Sequence, residues 1–284
     1  MAKFKLIKLR PKGPFTGIPH ADTLFGAISN ALGMLYDGKT IEEFVKFFQS
    51  EEALISSAFP YSKKELLLPK PLTVELALRT LFPDYAMRKS VKKAKYLAIS
   101  EFEKAIRLEP FKVIENLPYK IVDLPKVILD RVTQSSSIYY WEQVAFEENS
   151  GLFFLYSGRE EVFRDYIKPA MKLLGDTGIG GKSTWGLGLF EPEFGEIEIK
   201  TPKSEYFVTL SNAVPNKKPM MWNLLRKGGW SMGKRKPKIT FIAEGSIVKK
   251  DDGKILSFDM GLGHPVYIYG KVFPIAVRVP EGLG

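Results

Sequence analysis

The chain contains no cysteine, which excludes a disulfide, a zinc–thiolate centre and a cysteine nucleophile together. Histidine is almost as scarce. His20 and His264 are the two present, without H-x-x-x-H spacing, so metal sites are poorly provided for. A Ser/His/Asp triad would have to use one of them, and neither stands near a serine elbow motif. No run of about 18 apolar residues occurs, so no membrane-spanning segment is expected. The N-terminus, Met-Ala-Lys-Phe-Lys-Leu-Ile-Lys-Leu-Arg, lacks the apolar centre of a signal peptide and alternates like a first strand. These absences predict a cytoplasmic protein with no metal and no cofactor.

Negative charge is in the minority, with 32 Asp and Glu against 42 Lys and Arg, a formal charge of +10. A basic surface attracts polyanions over a Debye length, and for such a chain nucleic acid is the first candidate. The carboxylates that do pair in sequence, Glu42-Glu43 and Glu160-Glu161, fall at predicted helix starts, where they complement the dipole. At 284 residues, with 45% hydrophobic and 13% aromatic content, the chain can bury a substantial core in one large domain or two modest ones.

The densest local signal is Gly178-Ile-Gly-Gly-Lys-Ser-Thr-Trp-Gly-Leu-Gly-Leu-Phe190. Glycines permit positive φ and close approach of another chain. Lysine and hydroxyls beside such a backbone suit a phosphate. Gly181-Lys182-Ser183 copies the end of a nucleotide-binding P-loop, but the first glycine of that motif would have to be Asp176. The flanks are also reversed. A helical pattern precedes the stretch (Val162, Phe163, Tyr166, Ile167, Ala170, Leu173, Leu174), and extended chain follows. A P-loop needs strand before and helix after, so the stretch reads better as a cradle for a nucleic-acid backbone.

Along the chain, a strand over about Lys3 to Leu9 leads into a helix expected to be capped by Asp22. Thr40 and Glu43 read as a capping box for a second helix, and Ile55 to Phe59 as a strand. Residues 63 to 120 read as irregular with short helical pieces. Ser136 to Phe146 and Gly151 to Ser157 read as one long aromatic hairpin joined by Glu147-Glu-Asn-Ser150. Ser157 and Glu160 read as the cap of the next helix, which Pro169 should kink. Strand, helix, strand, strand, helix, strand is the ferredoxin-like order. A second unit begins near residue 200, with strands over Tyr206 to Leu210, Lys238 to Ala243 and Val272 to Val279, and a short helix or turn over Met221 to Arg226. The expected class is α+β: tandem ferredoxin-like domains over 1–200 and 201–284.

Several segments mix cations, glycine and aromatics, the combination that holds single-stranded RNA. Lys182, Ser183 and Trp185 stand together, Arg226-Lys227-Gly-Gly-Trp230 repeats the mixture, and Gly263 to Gly270 adds His264 and tyrosines. Arg88, Lys89, Lys92 and Lys93 form the densest basic run. A basic run is equally a solvated face, and Lys234 to Lys238 fits a hairpin turn. Catalysis has one opening: His20, before a helix start, as general acid or base on a 2′-hydroxyl.

Five segments resemble one family. The glycine stretch is similar to the C-terminal glycine-rich loop of the RAMP superfamily, the RNA-binding proteins of CRISPR systems. His20-Ala-Asp22-Thr-Leu-Phe25 resembles the start of their first helix. Leu225-Arg-Lys-Gly-Gly-Trp230, Glu244-Gly-Ser246 and His264-Pro-Val-Tyr-Ile-Tyr-Gly270 resemble, in order and spacing, the fourth Csm subunits of type III-A effectors. The resemblance implies tandem ferredoxin-like (RRM-like) domains, no activity of its own, and binding of the repeat-derived 5′ tag of CRISPR RNA. It also implies a place between the large polymerase-like subunit and the backbone RAMP filament, with target RNA met indirectly. By position, Gly178, Gly180, Gly181, Lys182 and Ser183 would follow the RNA backbone, with His20 near it. The hairpin near 131–157, starting at Arg131, would be the family's thumb. In one respect the chain departs: the family loop often carries arginine where Ser183 and Leu189 stand, which shifts the expected charge contact toward Arg88 to Lys95. A CRISPR-RNA-processing endoribonuclease of the same superfamily, using His20, stays open as the alternative.

Overall fold

The computed structural model describes residues 1–63, 65–130, 132, 135–231 and 233–280. Arg131 lies outside the described residues, as do 281–284 of the expected second domain.

Strand β1 (Ala2–Pro11) is central because both of its faces are apolar. Ile7 and Leu9 enter one core; Phe4 and Leu6 enter another on the opposite face. Helix α1 (Ala21–Leu35) buries Leu24, Phe25, Ile28 and Leu32 on the first face. Its N-cap is His20, not Asp22, which sits in the first turn. Helix α2 (Gly38–Gln49) is capped by Asp37, whose Oδ1 accepts from Thr40 N at 3.0 Å, so the predicted Thr40 cap lies three residues too late.

The expected strand at 55–59 is split into β2 (Ala53–Ile55) and β3 (Phe59–Ser62). The irregular stretch proves ordered: β4 (Glu65–Pro69), α3 (Thr73–Leu81), α4 (Tyr85–Lys93), β5 (Tyr96–Ala98) and α5 (Ile99–Ala105). These short elements bury Leu68, Val74, Leu78, Val91 and Phe102 against the second face.

The long hairpin is not the one expected. Strand β6 (Tyr119–Leu129) pairs antiparallel with β7 (Ser136–Phe146) from Tyr119↔Phe146 to Leu129↔Ser136. Strand β8 (Ser150–Gly158) instead enters the sheet between β1 and β3. Burial explains the choice. Residues 150–156 of β8 are buried at every position, which only a two-sided central strand achieves, whereas much of β7 is exposed.

After β8 a helix starts at α6 (Glu160–Val162), widens to a π turn (Phe163–Ile167) and continues as α7 (Lys168–Thr177). Ser157 does not cap it, because β8 runs on to Gly158 and the cap position is Arg159. The π turn lies just before Pro169, whose missing N–H breaks the ladder there. A glycine loop then leads into β9 (Phe190–Ile199), which pairs with β1 over ten residue pairs from Ala2↔Ile199 to Pro11↔Phe190. The sheet runs β5-β4-β3-β8-β1-β9, with β2 also on β8. Around β1 it has ferredoxin-like order, with α1 and α7 on one face.

A smaller sheet runs β13-β10-β16, from β10 (Tyr206–Thr209), β13 (Ile247–Lys249) and β16 (Pro274–Ala276). Two ribbons accompany it: β11 (Leu224–Ser231) with β12 (Lys234–Ile242), and β14 (Leu256–Asp259) with β15 (Pro265–Ile268). The helix or turn expected at 221–226 is extended, since Met221 bridges Ile247 and β11 begins at Leu224. Val208, Leu210, Phe273 and Ile275 join the core beneath β1 and β8, with Phe273 5.3 Å from Phe4. The chain after residue 200 therefore builds a separate sheet that shares the main core, with only a small cluster of its own from Ala213, Ile242, Val248 and Val272.

Candidate nucleic-acid interface

The glycine loop connects α7 to β9, helix before and strand after. Gly180, at φ 98°, would place a Cβ 3.1 Å from Thr16 Oγ1. Gly188 N donates to Pro14 O at 2.9 Å, and Ile179 N to Gly188 O at 3.0 Å. Ile179 is buried, so the loop is anchored at its neck and presses on the segment after β1. Gly186 to Gly188, expected to be extended, are turns for this reason. Beyond Gly178 and Gly181, Lys182 adopts the left-handed region (φ 61°, ψ 30°), and Ser183–Trp185 make one 3-10 turn.

The hairpin β6–β7 stands over this loop. Directly opposed residues share a face, so Val122, Leu124 and Lys126 lie with Gln143, Trp141 and Tyr139. That face turns to the loop: Trp141 and Trp185 have ring centroids 5.4 Å apart, and Lys182 Nζ lies 4.8 and 4.6 Å from their centroids. The other face carries Ile121, Val127, Ile138 and Tyr140, all more than half exposed. Phe15 ties the hairpin base to the sheet by exchanging two backbone bonds with Val144, at 3.0 and 2.7 Å.

Between β1 and the inner face of the hairpin runs a cleft of about 900 Å³, lined by Lys8, Arg10, Lys12 and Lys63 and by Val122, Leu124 and Gln143. Glu147, Glu148 and Glu193 temper it. Lys8 Nζ lies 5.2 Å over the Tyr61 ring, whose phenol is pushed up by burial and by the charge of Glu193. Arg10 is 3.9 Å from Glu191 and Lys12 3.4 Å from Asp176, both loose and exposed pairs that leave their charge available.

A second cleft joins the two sheets. His20 Nδ1 contacts Glu244 Oε1 at 2.7 Å, and Ser57 Oγ donates to the same oxygen. Ser57 Oγ in turn accepts from Ala21 N at 2.9 Å. Burial works to raise the Glu244 carboxyl, but the His20 and Ser57 contacts outweigh it and hold the group below its ordinary value. Asp22 Oδ1 accepts from Lys227 Nζ and from Asn212 Nδ2. Lys70 and Lys92 line this cleft with His20, and Lys70 Nζ binds Glu75 and the carbonyl of Val91 at 2.7 Å each. Burial draws the ammonium of Lys236 down, against the pull of Asp22.

The structure thus gathers Gly178, Gly180, Gly181, Lys182, Ser183 and Trp185 at one site, and His20, Lys92 and Lys227 at another. The segment 12–20 links the two. Arg88 reaches back to the carbonyls of Phe82 and Pro83, at 3.3 and 2.9 Å, and Lys92 and Lys93 lie in the last turn of α4, where they complement its dipole. Lys89 and Arg226 are exposed; His264 lies in the turn before β15 with Nδ1 3.1 Å from Pro265 O. Sequence reasoning missed Lys8, Lys63, Lys126 and Trp141. The signal for Lys8, Arg10 and Lys12 was their alternate spacing along one strand; the others depend on pairing that no local pattern reveals.

Among the described residues no cluster of three or more His, Asp or Glu is arranged to hold a metal ion. Among them, too, no helix is long and apolar enough to cross a membrane.

Residues 20–191 match the family model described as RAMP superfamily, and residues 202–277 the model described as CRISPR Csm4 C-terminal domain. The CRISPR system Cms protein Csm4 of Thermococcus onnurineus is 58% identical over 289 residues, covering 100% of both chains. The protein of the same description from Methanocaldococcus jannaschii is 25% identical, covering 89% of each. Among solved structures, a chain of the Csm1–Csm4 cassette in complex with cA4 superposes with a TM-score of 0.85 at 50% identity, covering 99% of this chain and 100% of that one. A chain of a Csm3–Csm4 subcomplex of a type III-A CRISPR-Cas interference complex has the same fold, with a TM-score of 0.67 at 20% identity, covering 98% and 100%.

Proposed function

The chain belongs to the RAMP superfamily and, within it, to the Csm4 family of CRISPR proteins, and from that premise we propose that it is a non-catalytic, RNA-binding subunit of a cytoplasmic type III-A interference complex. It holds the 5′ repeat-derived tag of the CRISPR RNA. Its partners are a large polymerase-like subunit and a backbone RAMP subunit, and target RNA is met indirectly. The relative with a TM-score of 0.85 is described in a cassette with Csm1, which supports the first partnership. In this reading residues 1–200 and 201–284 are the two ferredoxin-like units, and the β6–β7 hairpin is the thumb.

One observation carries the RNA-binding part: the basic cleft under the inner face of the hairpin leads to a glycine loop with an indole and a lysine at its surface. Cations there neutralise phosphates, the glycine backbone allows close approach, and aromatic faces accept bases. Gly178, Gly180, Gly181, Lys182, Ser183 and Trp185 follow the strand, with His20, Arg88, Lys89, Lys92, Lys93, Arg226 and His264 as further contacts; Lys227, bound to Asp22 and Thr23, serves the fold instead, and Arg131 stays an expected contact outside the described residues. A non-catalytic role is supported by the arrangement at His20. Its Nδ1 and the Ser57 hydroxyl both bind the Glu244 carboxylate, which gives His20 a structural task at the joint between the two sheets; Nε2 is the nitrogen that the endoribonuclease alternative would use.

The test is binding of a single-stranded repeat-tag RNA, followed by anisotropy across a salt series. Affinity should fall linearly in log–log form, as counterion release requires. Salt-independent binding would sink the phosphate-contact mechanism. The endoribonuclease alternative is decided by incubation with repeat RNA in EDTA, where discrete cleavage abolished by His20→Ala would replace the present reading.

A further inference from the structure

The loop lysine and the two tryptophans beside it form an arrangement that phosphate binding alone does not explain. Trp141 comes from β7 and Trp185 from the 3-10 turn, elements far apart in sequence. Their ring planes meet at 49° with centroids 5.4 Å apart, a V-shaped notch. Lys182 Nζ sits at its mouth, 4.8 Å from one centroid and 4.6 Å from the other. Lys182 does this from the left-handed region, at φ 61°, a conformation that a side chain other than glycine adopts only at a cost. A lysine that merely reached for solvent phosphate would not need that backbone, and would not be turned in between two rings.

Aromatic cages of this shape serve either a cation or a flat ring. Here the cation is already supplied by the chain itself. A foreign cation would also meet Lys126, whose Nζ is 5.9 Å from the Trp185 ring, and a protein of net charge +10. A nucleobase attached to a phosphate meets the opposite balance: its ring gains two indole faces, and its phosphate gains the displaced ammonium. We propose that Trp141 and Trp185 form a stacking site for one unpaired base of the bound RNA, kept closed in the free protein by Lys182. This rests on the RNA-binding reading above.

Insertion requires the rings to part. A base in van der Waals contact with both indoles needs them about 7 Å apart, roughly 2 Å more than now. The turn is built to allow it. Trp185 is 53% exposed, and its turn is flanked by two left-handed residues, Lys182 and Gly186 at φ 79°. Trp141 is fixed by the β6–β7 ladder, opposite Leu124. The moving wall is therefore the loop and the fixed wall is the hairpin.

The experiment uses the full chain in a Trp222→Phe/Trp230→Phe background, leaving Trp141 and Trp185 as the emitters of the four tryptophans. A ten-nucleotide single-stranded RNA and the same strand made abasic are titrated, reading tryptophan fluorescence and anisotropy together. The RNA should quench the fluorescence and bind roughly five- to a hundredfold tighter than the abasic strand, the value of one aromatic stack. The double variant Trp141→Leu/Trp185→Leu, checked for an unchanged melting temperature, should bind both strands nearly alike. Lys182→Gly, which relieves the backbone and empties the notch, should raise the base-dependent ratio even as it lowers affinity for the abasic strand. Equal binding of the two strands by the parent background, or a base preference unchanged in the double variant, would overturn the stacking site while leaving RNA binding intact. Absence of binding to either strand would instead defeat the RNA-binding reading, and the stacking site with it.

Discussion

Gly188 and Ile179 clasp each other across the glycine loop: Ile179 N donates to Gly188 O at 3.0 Å, and a Cβ on Gly188 would lie 2.1 Å from Ile179 O. No rotamer relieves that clash, because both partners are backbone. Gly188→Ala should open the loop, lower the melting temperature and reduce RNA affinity by tenfold or more. Gly186, also at positive φ, has open space where its Cβ would go, so Gly186→Ala should cost only the backbone penalty of about 1–2 kcal/mol. Equal effects of the two substitutions would show that the clasp does not hold the loop.

The pairing of His20 and Ser57 with Glu244 predicts an acid-sensitive joint between the two sheets. The depressed Glu244 carboxyl stabilises the fold above the ordinary value of 4.5, and that contribution is lost as pH falls through the lower native value. Glu244→Gln removes the charge and should flatten this part of the acid limb in denaturation followed from pH 7 to pH 3. Glu244→Ala leaves the Ser57 hydroxyl without its acceptor and should cost about 1–3 kcal/mol at pH 7. An acid limb identical to that of the unaltered chain in Glu244→Gln would refute the assignment.

Arg226 and Lys227 are neighbours with opposite expected phenotypes. Lys227 Nζ is committed to Asp22 and to Thr23 Oγ1, whereas Arg226 is exposed. Lys227→Ala should lower the melting temperature, because Asp22 is left without its cation. Arg226→Ala should leave it unchanged and, in the proposed role, weaken RNA binding two- to fivefold. Calorimetry and anisotropy on the pair separate the two roles, and reversed phenotypes would count against the geometry.

Charge in the cleft should read out as salt dependence. Lys8 and Lys63 line it, and replacing either by alanine should weaken binding at low salt. The log–log slope should become shallower by about 0.7 for each phosphate that no longer meets a cation. The weakening should be the same for different RNA sequences. A substitution that altered preference among sequences without touching the slope would mean that the cleft reads bases.

Much of this was legible in the sequence, for identifiable reasons. Five glycines around Lys182 are more than a helix stop requires, and the helix before and strand after are local patterns. What failed was long-range pairing. The four residues 147–150 imitate a hairpin loop, yet Leu152-Phe153-Phe154-Leu155 has no polar face and belongs at the centre of a sheet. Reading that run as two-sided would have sent β7 to pair with the chain before it. Trp141 was invisible for the same cause: in an alternating strand it looks like any core aromatic until its partner strand is known. The caps at His20 and Asp37 were displaced by two and three residues because Ser, Thr and Asp near a helix start compete, and tertiary contacts decide among them.

The β6–β7 hairpin leaves and rejoins the body at nearly one point: Glu147 N donates to Pro118 O at 3.0 Å and Ser150 Oγ donates to the same carbonyl at 2.9 Å. Eleven paired residues per strand carry its tip about 35 Å along the ribbon. It is a graft rooted at one place and braced from one side, by Phe15 at its base and by Trp185 against Trp141. Rungs added or removed at the far end would change its reach without disturbing β1, β8 and β9.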